Sequence, residues 1–282
     1  MNILALDESN TRQYLDYISA DMAENIGRLF YHGLIAVGDE GPVAGIIWHI
    51  RNAMSEDGRE SAICWLRLDD KAAAEKLFDF YKSSIDTLDV VRSTYSLPAR
   101  NFADGKEALY AAGFSVELME GDLIRTTVSE VSSLPIFRKI KPQGDIKPLR
   151  ELDLRGFNAG LRRFTGQEIR GVCDDLEYLP RDYFDNDVSC YCEVDGMIDG
   201  IILFHTLSSG ALRIVIMSAM GEDYKRILAQ MMSMAVTNAR SLYPPRTEIC
   251  IDRHNYASLA LSEKLFPCGF GMPVYMGSRQ ER

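Results

Sequence analysis

Residues 190–205, Cys-Tyr-Cys-Glu-Val-Asp-Gly-Met-Ile-Asp-Gly-Ile-Ile-Leu-Phe-His, form two largely apolar, strand-like runs on either side of a polar Asp195-Gly196. That dipeptide suits the left-handed backbone of a two-residue hairpin turn. Residues 34–49 have a similar pattern, with Gly41-Pro42 as the expected turn and Gly45-Ile46-Ile47 matching Gly200-Ile201-Ile202 at an offset of 155 (200 − 45). Later elements recur at nearly the same spacing. After the first hairpin come an apolar run at 62–66, a helical pattern at 72–85, a strand-like run at 90–95 and Asn101. After the second come 212–217, 227–239, 247–251 and Asn255, with Asn255 at an offset of 154 (255 − 101). Four elements in one order at one spacing mark two copies of one α/β unit.

The first copy is expected to open with a strand at 3–6 and a helix from about Thr11, with Tyr14, Leu15, Ile18 and Met22 at spacings of three and four. Asp69 and Asp70 can cap the helix whose Leu77, Tyr81 and Ile85 share a face. A short helix through Leu109 and Tyr110 and two strands between Phe114 and Val128 close the copy. Three prolines interrupt residues 134–148, which places a linker there and a boundary near Gln143, with copies at 1–142 and 143–282. The second copy opens with a helix carrying Leu154, Phe157, Leu161 and Phe164, followed by an acidic, aromatic stretch at 173–187. The repeated hairpin follows, then a helix from about Tyr224 and a strand at 248–252.

Composition narrows the class. A chain of 282 residues with 46% hydrophobic and 26% charged positions can bury two ordinary cores. No apolar run approaches the roughly 18 residues of a membrane span, and the first residues lack a basic leader, so the expected location is the cytoplasm and no membrane partner is expected. A net charge of −10 argues against nucleic acid and favours small cationic ligands. The six cysteines are scattered, which suits reduced core thiols rather than a disulfide framework. His49 and His205 with Cys190 and Cys192 do not make a convincing zinc set, and no metal site is expected.

The element order, together with three local stretches, resembles the GNAT N-acetyltransferase superfamily. The stretches are the hairpin ending in Gly-Ile-Ile, the run Met217-Ser-Ala-Met-Gly-Glu-Asp-Tyr224, and Asn255-Tyr-Ala-Ser-Leu-Ala-Leu-Ser-Glu-Lys-Leu-Phe266 with its echo between Asn101 and Phe114. The resemblance covers almost the whole chain. It implies an α/β (α+β) fold of two tandem GNAT-like domains, each a mixed, mostly antiparallel sheet flanked by helices. It also implies acetyl-CoA as donor and a small amine as acceptor.

The family's cofactor loop, Arg/Gln-x-x-Gly-x-Gly/Ala, presents bare backbone amides to a pyrophosphate at a helix N-terminus. Neither copy keeps it. The first has Leu68-Asp-Asp-Lys-Ala-Ala-Ala74, with carboxylates where the anion would sit; the second has Gly221-Glu-Asp-Tyr-Lys-Arg-Ile-Leu-Ala229. The second copy is therefore the candidate catalytic one. The resemblance places Ser218, Ala219, Met220, Tyr224, Lys225, Arg226 and Asn255 at the cofactor. Lys225 and Arg226 either supply charge to it or are solvated helix residues.

Ser262 stands where the family has its acidic tyrosine, and a serine hydroxyl is a poor proton donor at neutral pH. Asp252 ends the fifth strand as a candidate general base or as an N-cap for the next helix, with His254 two residues on. In the acceptor segment, Asp174, Asp175, Glu177, Tyr178 and Tyr183 would suit a cationic amine, or they form a solvated surface helix and loop. Two rival functions stand beside the enzyme. One is a non-catalytic scaffold that has lost acetyl-CoA; the other is an acyltransferase with a longer or aminoacyl donor.

Overall fold

The computed structural model describes residues 1–53, 58–99, 105–142, 144–166, 174–252, 256–266 and 271–281, with the backbone alone at 122, 138, 174, 175, 252 and 256–259. The chain forms two compact units. The first holds Met1–Asp122, Arg170–Asp175 and Gly271–Arg282; the second holds Leu123–Ile169 and Leu176–Phe270.

The first unit's sheet runs in the order β1 (Asn2–Ala5), β2 (Tyr31–Gly38), β3 (Gly41–Asn52), β4 (Arg59–Leu68), β5 (Val90–Pro98), β12 (Gly271–Gln280). Only β4 and β5 are parallel. Because side chains alternate across a strand, Ile46 and Trp48 of β3 face helix α2 (Lys71–Ile85) and pack with Leu77, Tyr81 and Ile85. Ile47 points to the other side, where it joins Ile35, Ile18 and Leu6. The second unit's sheet runs β7 (Ile146–Pro148), β8 (Cys190–Val194), β9 (Met197–Thr206), β10 (Leu212–Ala219), β11 (Glu248–Asp252), then the Leu123–Thr127 half of β6 (Glu117–Thr127). Again only the pair β10–β11 is parallel. Helix α7 (Tyr224–Leu242) packs Ile227, Met231 and Ala235 onto Cys190, Ile202 and Phe204.

Several expectations hold and several change. The Asp195-Gly196 turn has φ of 51° and 77°, as a two-residue hairpin with both residues left-handed requires. Helix α6 (Leu154–Thr165) buries Phe157, Leu161 and Phe164, and its first turn is capped by Asp153; Leu154 faces solvent. In the first hairpin the turn is Asp39-Glu40, since Gly38 pairs Gly41, and Pro42 lies inside β3. The stripe beginning at Thr11 is not one helix. It gives a 3-10 turn at Thr11–Tyr14 and a single turn α1 (Ala20–Ala23), because Ser19 adopts an extended backbone between them. One long strand, β6, replaces the two expected from Phe114 to Val128.

The expected linker starts with structure of its own. Thr127 and Glu130 form a reciprocal capping box on α4 (Val128–Ser133), and Pro135 opens α5 (Pro135–Lys139) at a position where a missing N–H costs nothing. The compact units accordingly differ from a division at 142/143, and residue 143 itself lies outside the described residues. The free edge of β5 is paired by β12, the chain's last strand, while part of β6 serves the second unit.

The repeat is also one residue out of its apparent register. Each hairpin carries a bulge whose extra residue is Val43 in β3 and Asp199 in β9, an offset of 156 (199 − 43). Gly200 therefore corresponds to Ala44, not Gly45: both face their unit's long helix, whereas Gly45 lies against Trp65 on the other face. A shift of one residue exchanges the two faces of a strand.

Candidate functional site

Each unit contains one parallel strand pair, and in both the pairing stops early. In the first, β4 and β5 pair from Arg59↔Val90 to Ile63↔Tyr95, after which β4 continues to Leu68. In the second, β10 and β11 pair only at Leu212↔Ile249 and Arg213↔Cys250, after which β10 continues to Ala219. Just past the last pair each fourth strand carries a bulge, with Cys64 as the extra residue in β4 and Val215 in β10. A bulge bends its strand and leaves backbone groups out of the ladder. Crevices at the carboxyl ends of parallel strands are where open α/β sheets bind ligands, and a helix start beside one adds unpaired N–H groups.

The two helix starts differ. At α2, Asp70 Oδ1 accepts the Ala73 amide at 2.7 Å, so the helix is capped by its own carboxylate. Asp69 binds Arg67 (Nε–Oδ2 3.1 Å), and the Arg67 guanidinium covers the Tyr17 ring at 4.1 Å. Burial and the neighbouring Asp69 carboxylate push the Tyr17 hydroxyl's pKa up. Two carboxylates thus sit at this helix start, as Glu222 and Asp223 do at that of α7; the difference lies in what their side chains bind.

At α7 the side chain of the N-cap residue, Asp223, accepts no amide; its carbonyl takes those of Arg226 and Ile227 at 2.9 and 3.0 Å, and Gly221 O takes that of Tyr224 at 3.4 Å. The Asp223 carboxylate turns instead to Arg226, with Nη2–Oδ2 at 2.9 Å and Nε–Oδ2 at 3.3 Å. Lys225 Nζ lies 5.6 Å from the Tyr224 ring centroid, and residues 221–226 are all exposed. Ser218 and Ala219 end β10 opposite Ile201 and Gly200, and the Met220 amide donates to Asp199 O at 2.8 Å. Of the residues expected at the cofactor, Ser218, Ala219, Met220, Tyr224, Lys225 and Arg226 therefore gather at the end of β10 and the start of α7. Asn255 and His254 lie outside the described residues.

The other candidates fall in several places. Asp252 ends β11 opposite Leu123, with its side chain outside the described residues. Ser262 is buried in α8 (Tyr256–Leu265), where its carbonyl accepts the Phe266 amide. The acceptor segment forms a 3-10 turn, Asp174–Tyr178, in which the side chains of Asp174 and Asp175 are not described. Glu177 faces Thr165 Oγ1 at 3.5 Å, and its hydrogen bond to the exposed Tyr178 hydroxyl raises that group's pKa.

Tyr183 is elsewhere. Its ring stacks on His205 at 3.9 Å and its carbonyl contacts His205 Nδ1 at 2.6 Å. His205 pairs Arg213 near the start of β10, so Tyr183 stands roughly 20 Å of strand from Ala219, at about 3.3 Å per residue. His49 is likewise held in a stack, on Tyr31 at 5.0 Å.

Two features at the end of β10 escaped the sequence reading. Asp199, the bulged residue of β9, forms an ion pair with Arg163 of α6 at 2.8 Å while its carbonyl holds the Met220 amide. An isolated glycine inside a strand, here Gly200, is the signal that could have marked that bulge. The Val215 bulge has no such signal, because Ile-Val-Ile is an ordinary strand run. Among the described residues no group of metal-ligating side chains forms a site. Burial pushes the Cys190 and Cys192 thiols up, which favours their neutral form.

No protein-family model matches the sequence, and no curated protein matches it. Solved structures do. A tandem GNAT protein from the clavulanic acid biosynthesis pathway, solved without AcCoA, aligns over 100% of this chain and 98% of its own, with a TM-score of 0.60 and 9% identity. A GCN5-related N-acetyltransferase from Sphaerobacter thermophilus aligns over 99% and 96%, with a TM-score of 0.58 and 12% identity. One from Anabaena variabilis ATCC 29413 aligns over 100% of this chain and 73% of its own, with a TM-score of 0.52 and 12% identity. What the chain shares with the first two of these proteins end to end, and with the third over 73% of its length, is its architecture: it has the tandem fold of the GCN5-related N-acetyltransferases.

Proposed function

We propose that the chain is an acetyl-CoA-dependent N-acetyltransferase whose working site is the gap between β10 and β11 and whose first unit is structural. The observation that carries this reading is the contrast at the two helix starts: α2 is closed by Asp70, whereas α7 leaves its first amides without a side-chain acceptor. An anion is stabilised at such a helix start by unpaired N–H groups and the helix dipole. Backbone carbonyls take two of the first amides, Tyr224 N on Gly221 O at 3.4 Å and Arg226 N on Asp223 O at 2.9 Å, so the pyrophosphate of coenzyme A is received by the helix dipole, the Lys225 amide and the Lys225 charge, with Arg226 exchanging Asp223 for the anion. The tandem fold agrees with it.

In this reading the pantetheine arm lies against Ser218, Ala219 and Met220, and Asn255 stands near it. A neutral amine attacks the thioester carbonyl, a C–N bond forms, the C–S bond breaks, and the thiolate of coenzyme A leaves. Asp252, at the end of β11, takes the proton the amine loses. Ser262 is in position only to orient a group, since it lies buried in α8. The acceptor is a small cationic amine, drawn by Glu177 and Tyr178, by Asp174 and Asp175 on the same turn, and by the chain's net charge of −10.

A thiol-release assay with acetyl-CoA and a panel of amines tests this. Diamines are expected to turn over faster than neutral monoamines of equal length. Release of no coenzyme A thiol with any amine would overturn the enzyme reading and leave a scaffold.

A further inference from the structure

The seat of β12 in the first unit is unusually polar for a sheet interior. β12 pairs with β5 from Val274↔Pro98 to Gln280↔Arg92, joining residues 176 positions apart (274 − 98) at its near end. The contact is reciprocal at Ser115 and Ser278: the Ser115 amide donates to Ser278 O at 3.0 Å, and the Ser278 amide donates to Ser115 Oγ at 3.0 Å. Arg92 Nη2 donates to Ser278 Oγ at 2.9 Å, and the Glu281 amide to Val91 O at 3.0 Å. A Cβ on Gly277 would stand 1.8 Å from Ser115 O, so no other residue fits there.

Arg279 carries a charge inward. Its Nη1 donates to Ala112 O at 2.8 Å, just after helix α3 (Gly105–Ala111), and its guanidinium lies 4.7 Å from the Phe114 ring centroid. Its Nε donates to Glu281 Oε1 at 2.8 Å, and the two side chains are only 13% and 5% exposed. On the same side, 5.9 Å from the guanidinium, lies the fully buried Tyr81, whose hydroxyl is hydrogen-bonded to Ser61 and Ser93.

The ion pair lies within the segment itself, two residues apart, so what ties the strand to its seat is the Arg279 bond to Ala112 O and its contact with the Phe114 ring; losing the guanidinium also leaves Glu281 buried without its partner, which is strongly destabilising. Without β12, β5 exposes an edge of unpaired backbone groups and Phe114 loses its cover. Closing so long a loop is also slow relative to local pairings.

We propose that residues 271–281 are a latch strand. β5, α3 and β12 form one cooperative unit that closes only when Arg279 is seated, so the first unit stays incomplete until residues 271–281 are in place. This is independent of any catalytic activity.

Hydrogen exchange read by mass spectrometry on full-length protein tests it, comparing wild type with Arg279→Met. Exchange in peptides covering β5 and α3 is expected to rise roughly a hundredfold or more, with β8, β9 and α7 unchanged. A rise confined to residues 271–281 would overturn the proposal. If the variant does not fold, wild type in graded guanidinium decides the matter. Amides of β12, β5 and α3 should open together with one denaturant dependence, and β12 opening alone ahead of the other two would overturn it.

Discussion

Asp223 and Arg226 bind each other one turn apart at the start of α7, Nη2–Oδ2 2.9 Å, and that pairing keeps the Asp223 carboxylate off the helix amides. Asp70, at the start of the equivalent helix, instead accepts the Ala73 amide at 2.7 Å. The same residue type thus caps one helix with its side chain and leaves the other to backbone carbonyls, Gly221 O for the Tyr224 amide and Asp223 O for that of Arg226.

Stability should register that difference. Asp70→Ala is expected to cost about 1 kcal/mol, the usual loss of an N-cap. Asp223→Ala should cost less than about 0.5 kcal/mol, because an exposed i,i+3 ion pair is all it removes. Urea titrations of the two variants check this, and equal losses would mean that Asp223 caps α7 in solution.

Gly200 lies where β9 packs directly under α7 side chains. A Cβ there would meet Ile227 Cγ2 at 2.6 Å and Met231 Cε at 2.7 Å. Gly200→Ala is therefore expected to destabilise by about 1–3 kcal/mol through overpacking. Gly210→Ala gives the contrast. A Cβ there meets nothing within 4 Å and its φ of 83° is the only strain, so the cost should be about 1 kcal/mol. Thermal melts of both variants separate packing from backbone strain.

His32 gives the first unit a pH dependence. It stacks on Trp48 at 5.6 Å, and burial lowers its pKa. The unfolded state then binds more protons than the folded one as pH falls through the ordinary histidine range of about 6.5, so this residue's contribution to stability falls with it. Between pH 7 and pH 5 the wild type should lose more stability than His32→Gln. Parallel slopes for the two proteins would show that His32 stays accessible to protons in the fold.

Much of the architecture was legible because it rests on local pattern. The Asp195-Gly196 turn, the Phe157, Leu161 and Phe164 stripe and the Asp70 cap each follow from spacing or from the backbone preference of one residue type. What was not legible depends on distant parts of the chain. Nothing local in residues 271–281 says that they pair with β5, and Tyr183 is drawn from the acceptor segment by a stack on His205 that only the folded sheet creates. The repeated Gly-Ile-Ile misled by one residue because the bulges at Val43 and Asp199 shift the face on which each glycine falls. At the candidate site, the residues expected around the start of α7 are neighbours in sequence and so stay together in the fold, whereas the Val215 bulge is a property of the backbone that Ile-Val-Ile does not signal.

The most direct test of the central claim is calorimetric titration of acetyl-CoA into wild type, a Lys225→Glu/Arg226→Glu double variant and a Lys71→Glu control. Micromolar binding, about −8 kcal/mol, that is lost in the double variant and kept in the control would place the cofactor at the start of α7. No binding up to millimolar acetyl-CoA, or loss of binding in the Lys71→Glu control alone, would contradict the account.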